Sequence, residues 1–243
     1  MARANKNKEA AVGSQNRTVS PNEAKSALTH CIKLQRPIMM WGAPGIGKSD
    51  IVKQIADQEG REVIDIRLPL WEPTDIKGIP YYNSKENNMV WASPAELPTD
   101  PKSNAIVFLD ELNSAAPAVQ AAAYQLILNR RVGQYHLPEG VSIVAAGNRD
   151  SDKGVTYRMP APLANRFVHI ELRVDFEDWM EWATNQHVHA DVVGYCTFAK
   201  QDLYDFDPRG SSRSFATPRS WSFVSQLLSD DLPESTLTDL VAG

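Results

Sequence analysis

Residues 42–49, G-A-P-G-I-G-K-S, have the residue types and the spacing of a phosphate-binding loop, G-x-x-x-x-G-K-[ST]. Glycines without side chains let backbone N–H groups turn toward phosphate oxygens, and the N-terminus of the following helix adds a favourable dipole. We expect Lys48 to reach the β- and γ-phosphates of a nucleotide and Ser49 to hold Mg²⁺. The predicted nucleotide-binding residues are Gly42, Ala43, Pro44, Gly45, Ile46, Gly47, Lys48, Ser49 and Asp50.

Two adjacent carboxylates close an apolar run about sixty residues further along the chain. Residues 104–111, N-A-I-V-F-L-D-E, are typical of a buried parallel strand, and α/β sheets place their ligands at the carboxyl ends of such strands. We expect Asp110 to hold Mg²⁺, directly or through water, and Glu111 to orient and deprotonate the water that attacks the γ-phosphate. The alternative is a pair of acids that caps a helix.

Two further predicted strands carry polar residues at their ends. Residues 141–148, V-S-I-V-A-A-G-N, end in Asn148, which we expect beside Glu111, where its amide would bond the γ-phosphate or the attacking water. The alternative is a turn residue. Arg166 comes just before a fifth predicted strand, at the edge of the core, where it can reach a neighbouring subunit's nucleotide and add positive charge to the transition state. The alternative is a surface salt bridge.

Regular elements must position these residues. A short strand over residues 37–41 leads into the loop, and a helix over residues 48–58 follows it. Another helix begins after Ser20, where Glu23 completes a capping box. That helix either walls the adenine site or only packs on the sheet. A second strand is predicted over residues 62–68.

The segment over residues 71–98 is too long for a plain connection, so we expect an inserted hairpin or a working loop. Its aromatic residues Tyr81, Tyr82 and Trp91 either face a substrate channel or pin the hairpin to its own domain. A second, shorter hairpin is predicted near Gly133.

Composition places the chain among ordinary globular proteins. Its 243 residues are 42% hydrophobic and 23% charged, without an apolar run of the ~20 residues that a membrane span needs. The N-terminus also lacks the apolar core of a signal peptide, so we expect a cytoplasmic location. Two cysteines predict neither a disulfide framework nor a cysteine-rich metal site. A net charge of −5 argues against a broad nucleic-acid footprint.

Three regions follow from the patterning. Residues 1–19 are polar and basic and predict a flexible tail, with a basic arm that touches nucleic acid or a partner as the alternative. Residues 20–173 carry the strands and form the nucleotide-binding domain. Residues 174–243 predict a small helical domain whose core includes Trp179 and Trp182, one turn apart.

Together these motifs resemble an AAA+ ATPase, and more narrowly the MoxR-like branch, over residues 20–228. Residues 42–49 look like Walker A and residues 106–111 like Walker B, while Asn148 is similar to sensor 1. Arg166 in N-R-F resembles the arginine finger, although Arg158 in Y-R-M-P competes for that role, and Arg219 in T-P-R resembles sensor 2. The two predicted hairpins sit where the family has its helix-2 and pre-sensor-1 insertions.

The resemblance implies an α/β fold with a five-stranded parallel sheet between helices, followed by an all-α lid. It implies a ring, usually a hexamer, with ATP and Mg²⁺ at each interface. It also implies that hydrolysis is coupled to chaperone-like remodelling of a protein partner, commonly one with a von Willebrand factor A domain. Two other functions stay open at this point: a DNA-directed motor or loader, and an ATP-gated assembly scaffold with little turnover.

Overall fold

A computed structural model describes residues 17–152, 154–210, 214–230 and 232–242. Its strands are β1 (Thr18–Val19), β2 (Ile38–Trp41), β3 (Val63–Arg67), β4 (Ile79–Asn83), β5 (Asn88–Ala92), β6 (Ile106–Asp110), β7 (Arg131–Val132), β8 (Tyr135–His136), β9 (Ser142–Gly147) and β10 (Val168–Leu172). The α-helices are α1 (Pro21–Lys33), α2 (Lys48–Glu59), α3 (Pro73–Lys77), α4 (Pro117–Asn129), α5 (Ala161–Ala164), α6 (Phe176–Asn185), α7 (Ala190–Phe198), α8 (Pro218–Leu228) and α9 (Glu234–Ala242). Short 3₁₀ turns occupy Leu68–Leu70, Leu112–Ser114, Asp150–Asp152 and Lys200–Leu203.

The central sheet is parallel throughout and has the order β1-β10-β2-β9-β6-β3. The five predicted strands are confirmed, and the α/β fold with them. We expected order to begin at Ser20, but Thr18 and Val19 add a sixth strand at one edge, and Val19 pairs with Leu172. A two-residue strand shows no periodicity, which is why the sequence pattern missed it. Residues 1–16 of the predicted tail lie outside the described residues.

Helices cover both faces of the sheet because its inner strands are apolar on both sides. Every residue of β6 and β9 is buried. Alternate side chains of a strand point to opposite faces. Val107 and Leu109 therefore join the cluster that contains α4, while Phe108 joins the cluster that contains α1 and α2. This packing fixes the carboxyl ends of β2, β6 and β9 side by side.

The N-terminus of α1 is capped as the sequence predicted. The Ser20 hydroxyl accepts from the Glu23 amide and the Glu23 carboxylate accepts from the Ser20 amide, so the predicted capping box is confirmed. Helix α1 packs on the sheet and also borders a cleft, so its place beside an adenine site stays a prediction. Leu28 packs in the core beneath the sheet, while Pro21 and Lys25 line a cleft beside the phosphate-binding loop.

The segment over residues 71–98 contains the expected hairpin, formed by β4 and β5, and the shorter hairpin is β7 and β8. Trp91 lies against the second hairpin: its amide donates to Gln134 Oε1 at 3.2 Å, and its ring is in van der Waals range of Gly133. Trp91 thus joins the two hairpins, whereas Tyr81 and Tyr82 are exposed.

Helices take over after β10. Trp179 is buried in a third cluster with Ala183, Val192, Cys196 and Leu203, and Trp182 packs against it. Helix α7 ends at Phe198, and α9 is the last helix of this region. None of the described helices combines the length and the apolar character that crossing a bilayer requires.

Candidate nucleotide site

The phosphate-binding loop joins β2 to α2 at the carboxyl edge of the sheet. Gly45 and Gly47 have φ of 76° and 93°, a left-handed conformation that residues with a side chain rarely adopt. A Cβ on Gly47 would meet no atom within 4 Å, whereas one on Gly45 would lie 2.8 Å from Thr217 Oγ1. The loop therefore leaves open space above Gly47 and packs tightly against the start of α8.

Lys48 is the most enclosed cation of the site, with 9% of its surface exposed. Its ammonium donates to the carbonyls of Gly42 at 2.6 Å and Ala43 at 3.0 Å, and to Asn148 Oδ1 at 3.2 Å. Burial lowers the pKa of Lys48 to about 8, although nearby Asp110 opposes that shift. The structure thus holds an ammonium ready for an anion inside the loop that would cradle it.

The two acids that follow β6 differ in environment. Asp110 is 7% exposed, and its Oδ1 accepts from the Glu111 amide at 2.9 Å. Glu111 is half-buried and has φ of 54°, which is uncommon for a residue with a side chain. Non-glycine residues in this conformation concentrate at functional sites. The backbone therefore turns sharply directly after Asp110.

The residues predicted to hold Mg²⁺ fit that ion. Within the described part of the chain, the Ser49 hydroxyl and the second carboxylate oxygen of Asp110 have no hydrogen-bond partner. A hydroxyl and a carboxylate are the hard oxygen ligands that Mg²⁺ takes together with substrate phosphates. Free oxygens of the right chemistry are therefore available beside Lys48.

Asn148 is hydrogen-bonded to Lys48 of the loop, and a residue that the sequence analysis missed holds Asn148 in place. The buried Asn113, 2% exposed, donates from Nδ2 to the Asn148 carbonyl at 2.8 Å and accepts from the Asn148 amide at 3.2 Å. A Cβ on Gly147 would lie 2.4 Å from Asn113 Oδ1, so glycine permits this approach. The only sequence signal was a polar residue two positions after Glu111.

An ion-pair network next to Asn148 was also missed. Arg149 contacts the buried Asp152 at 3.0 Å and Glu171 of β10 at 3.2 Å. The hydrogen bond to Asp152 raises the pKa of Arg149. This network anchors the segment that follows β9 to β10, which lies on the far side of β2 in the sheet, and no spacing in the sequence predicted it.

The three candidate arginines are not equivalent. Arg219, at the start of α8, donates its amide to the Gly45 carbonyl at 3.2 Å and lines the cleft beside the loop. Arg158 and Arg166 are exposed, and within the described residues neither guanidinium has a hydrogen bond or an ion pair. All three arginines are exposed, and Arg219 differs from the other two in lying beside the loop of its own chain.

A cleft adjoins the loop. It lies between α1, α2, α6 and α8 and combines apolar side chains with Lys25, Asp50 and Arg219. Trp179 and Trp182 contribute to its wall in addition to the helical core. The cleft is continuous with Gly45 and Gly47, so its contents would lie next to a phosphate held by the loop.

The parallel sheet, the glycine loop and the acids at the strand ends define a P-loop nucleotide-binding protein. The chain belongs to the ATPase family associated with various cellular activities (AAA), whose sequence profile matches residues 37–169, more than half of the chain.

Among known proteins, the chain is 28% identical over 186 residues to midasin of Giardia intestinalis, an alignment that covers 72% of this chain and 4% of that protein. A putative ATPase of Cytophaga hutchinsonii is similar in structure, with a TM-score of 0.52, 19% identity, and coverage of 90% of this chain and 62% of that one. NtrX of Brucella abortus in complex with ADP matches with a TM-score of 0.52, 14% identity, and coverage of 88% and 50%. These two structures support the fold.

Proposed function

We propose that this chain is a Mg²⁺-dependent, ATP-hydrolysing ring protein of the MoxR-like type that remodels a protein partner. One observation carries the proposal. Lys48 and Asn148 are hydrogen-bonded to each other at the sheet edge where Asp110 ends its strand, while Arg166 is exposed without a side-chain partner among the described residues. One chain thus provides a nucleotide cradle and, separately, an arginine free to serve another cradle.

Each side chain has a role that follows from its position. Lys48 binds the phosphates, and Ser49 and Asp110 hold Mg²⁺. When bound, that ion neutralises the charge that develops on the phosphate oxygens. Glu111 orients the attacking water and accepts its proton, and Asn148 bonds the γ-phosphate or that water. Arg219 would add positive charge from the same chain.

The ring follows from the exposed arginines. A guanidinium that enters a site from outside stabilises the transition state of phosphoryl transfer. To act in this way, Arg166 requires a second copy of the chain, with ATP at the interface. The MoxR-like resemblance suggests six copies and a client with a von Willebrand factor A domain. The similarity to midasin, although it covers a small part of that protein, supports an AAA module that works in an assembly.

Replacing Glu111 by glutamine tests the hydrolytic role. Because the amide cannot accept the proton of the attacking water, we expect hydrolysis to fall at least about a hundredfold while ATP binding persists. Glu96→Gln, an exposed acid of the 71–98 segment, is the matched control and should keep parental turnover. Mass photometry of Glu111→Gln with ATP and Mg²⁺ should show a ring that is absent without nucleotide. Parental turnover by Glu111→Gln would remove Glu111 from the mechanism.

The same preparation separates the other functions. Stimulation of hydrolysis by single- or double-stranded DNA, with a steep salt dependence of binding, would favour a DNA-directed motor. Assembly on ATP with negligible turnover of the parent chain would favour a scaffold. Our proposal requires turnover that DNA leaves unchanged.

A further inference from the structure

His169 of β10 is hydrogen-bonded through both ring nitrogens. The indole Nε1–H of Trp41 donates to His169 Nδ1 at 2.9 Å, and His169 Nε2 lies 2.7 Å from the Ala164 carbonyl. Because an indole N–H can only donate and a carbonyl can only accept, Nδ1 must be unprotonated and Nε2 must carry the hydrogen. Both contacts together fix the ring as the neutral Nε2–H tautomer.

Trp41 and Ala164, the two partners of His169, lie next to the two parts of the proposed catalytic site: the phosphate-binding loop and Arg166. Trp41 is the last residue of β2 and immediately precedes the phosphate-binding loop. Ala164 is the last residue of α5, two positions before Arg166. The Trp41 and His169 rings also stack, with centroids 6.0 Å apart and planes 13° from parallel. One side chain therefore connects the strand that carries the loop to the turn that carries the exposed arginine.

The backbone around Arg166 makes this connection stiff. The Arg166 amide donates to the Leu163 carbonyl at 3.0 Å, and the Phe167 amide donates to the Ala164 carbonyl at 3.2 Å. The Ala164 carbonyl, before Arg166, thus accepts from Phe167 and from His169, which both follow Arg166. Since that turn is short and internally bonded, displacing the Ala164 carbonyl would displace Arg166.

We infer that His169 is a positioning residue: it sets the place of Arg166 relative to the phosphate-binding loop of its own subunit. This inference rests on the proposed function, in which Arg166 completes the site of the neighbouring subunit. In a ring, the position of one subunit's phosphate-binding loop would then affect the position of Arg166 through His169. Arg166 would in turn affect the rate of hydrolysis at the neighbouring subunit's site. The His169 ring touches neither nucleotide nor water in this role; it acts through Arg166.

A double-mutant cycle between His169 and Arg166 tests this role. Since His169→Ala removes two hydrogen bonds that hold the turn, we expect kcat for ATP to fall about tenfold. The Kd for ADP, measured at the cradle of the same chain, should stay within about twofold of the parent. In an Arg166→Ala background, which lowers kcat on its own, adding His169→Ala should lower kcat no further.

Two variants refine the cycle. Trp41→Phe keeps an aromatic ring but removes the indole N–H, so it should reproduce part of the fall in kcat even if His169→Ala folds poorly. His169→Gln can accept through its oxygen and donate through its nitrogen, so it should recover part of the lost rate. The control is His30→Ala, an exposed histidine on α1, which should leave kcat unchanged.

The outcomes are distinct. Equal effects of His169→Ala with and without Arg166 would overturn the inference while leaving the proposed function intact. A parental kcat in both His169→Ala and Trp41→Phe would also overturn it. A parental kcat in Arg166→Ala would remove Arg166 from the proposed mechanism, and the inference with it.

Discussion

The buried cradle and the exposed arginine surface are built in opposite ways. Lys48, Asp110 and Asn113 are almost fully enclosed, and hydrogen bonds connect the cradle from the loop to Asn148 and Asn113. Arg158 and Arg166 are exposed, without side-chain partners among the described residues. Internal hydrogen bonds thus hold the nucleotide cradle together, while the charges of the two exposed arginines stay unpaired among the described residues.

This difference indicates what each half needs in order to work. Enclosure gives electrostatic interactions more strength than they have in water, so the cradle can be assembled before a ligand arrives. An exposed guanidinium is solvated and has little effect until an interface removes that water. We therefore expect the exposed arginines to act only in an assembly, whereas the buried cradle should bind its ligand without one.

Substitution of Arg166 should have the largest effect, and it tests the difference between the buried cradle and the exposed arginines. Because a finger contacts only the transition state of the neighbouring site, Arg166→Ala should lower kcat about a thousandfold and leave the Kd for ADP nearly unchanged. The matched control is Arg158→Ala, the competing arginine on the same exposed surface, and it should keep most of the activity. Steady-state hydrolysis at saturating ATP measures both.

The pair of variants also settles which arginine acts. If Arg158→Ala shows the thousandfold loss and Arg166→Ala does not, the finger is Arg158, and the turn held by His169 has another purpose. A loss of ADP affinity in Arg166→Ala would place that arginine in the cradle of its own chain and end the division between the two halves.

Removing Asn113 should weaken the cradle itself. Asn113→Ala deletes two hydrogen bonds to the Asn148 backbone and leaves its partly buried amide and carbonyl without these partners. We expect the free energy of unfolding to fall by about 2–3 kcal/mol and hydrolysis to fall as Asn148 loses its position. Urea denaturation of Asn113→Ala beside Asn129→Ala, an exposed asparagine at the end of α4, measures this. An equal stability for both variants would mean that Asn148 is held by other contacts.

Sequence patterns predicted the motif-bearing elements of this molecule because each motif adjoins a strand or helix with a clear apolar period. The loop, the acid pair and Asn148 all follow apolar strands, and the parallel order of those strands brings their ends together. The hairpins near Trp91 and Gly133 were likewise predictable from length and turn residues. These features depend on local sequence and on general rules of topology.

What the sequence could not predict depends on contacts between distant residues. Asn113 meets Asn148 across 35 positions, and Trp41 meets His169 across 128. Neither pair has a motif, and a buried polar residue looks like any other polar residue until its partner is known. The edge strand at Thr18 was missed for a related reason: it exists because β10 offers an unpaired edge, and two residues hold no pattern of their own.

The smallest and most specific predicted effect is a change in ADP affinity with the protonation of Lys48. Burial lowers its pKa to about 8 in the nucleotide-free chain, whereas the phosphates of ADP require the charged ammonium. Raising the pH from 7 to 9 should therefore weaken ADP binding by about tenfold. Isothermal titration calorimetry across that range measures it. Lys48→Arg is the control, since a guanidinium keeps its charge and its ADP affinity should not change with pH.

The same group should act on stability with the opposite sign. Its pKa is lower in the folded chain than in the unfolded chain, so above pH 8 and up to about 10.5 the unfolded chain binds more protons. The contribution of Lys48 to the free energy of unfolding should then rise with pH across that window, while ADP affinity falls. Lys48→Met abolishes this titration, so the stability difference between parent and variant should shift in the parent's favour as the pH rises. A difference that stays constant from pH 7 to 10 would mean that the ammonium is not desolvated, and that the cradle is less enclosed than its geometry indicates.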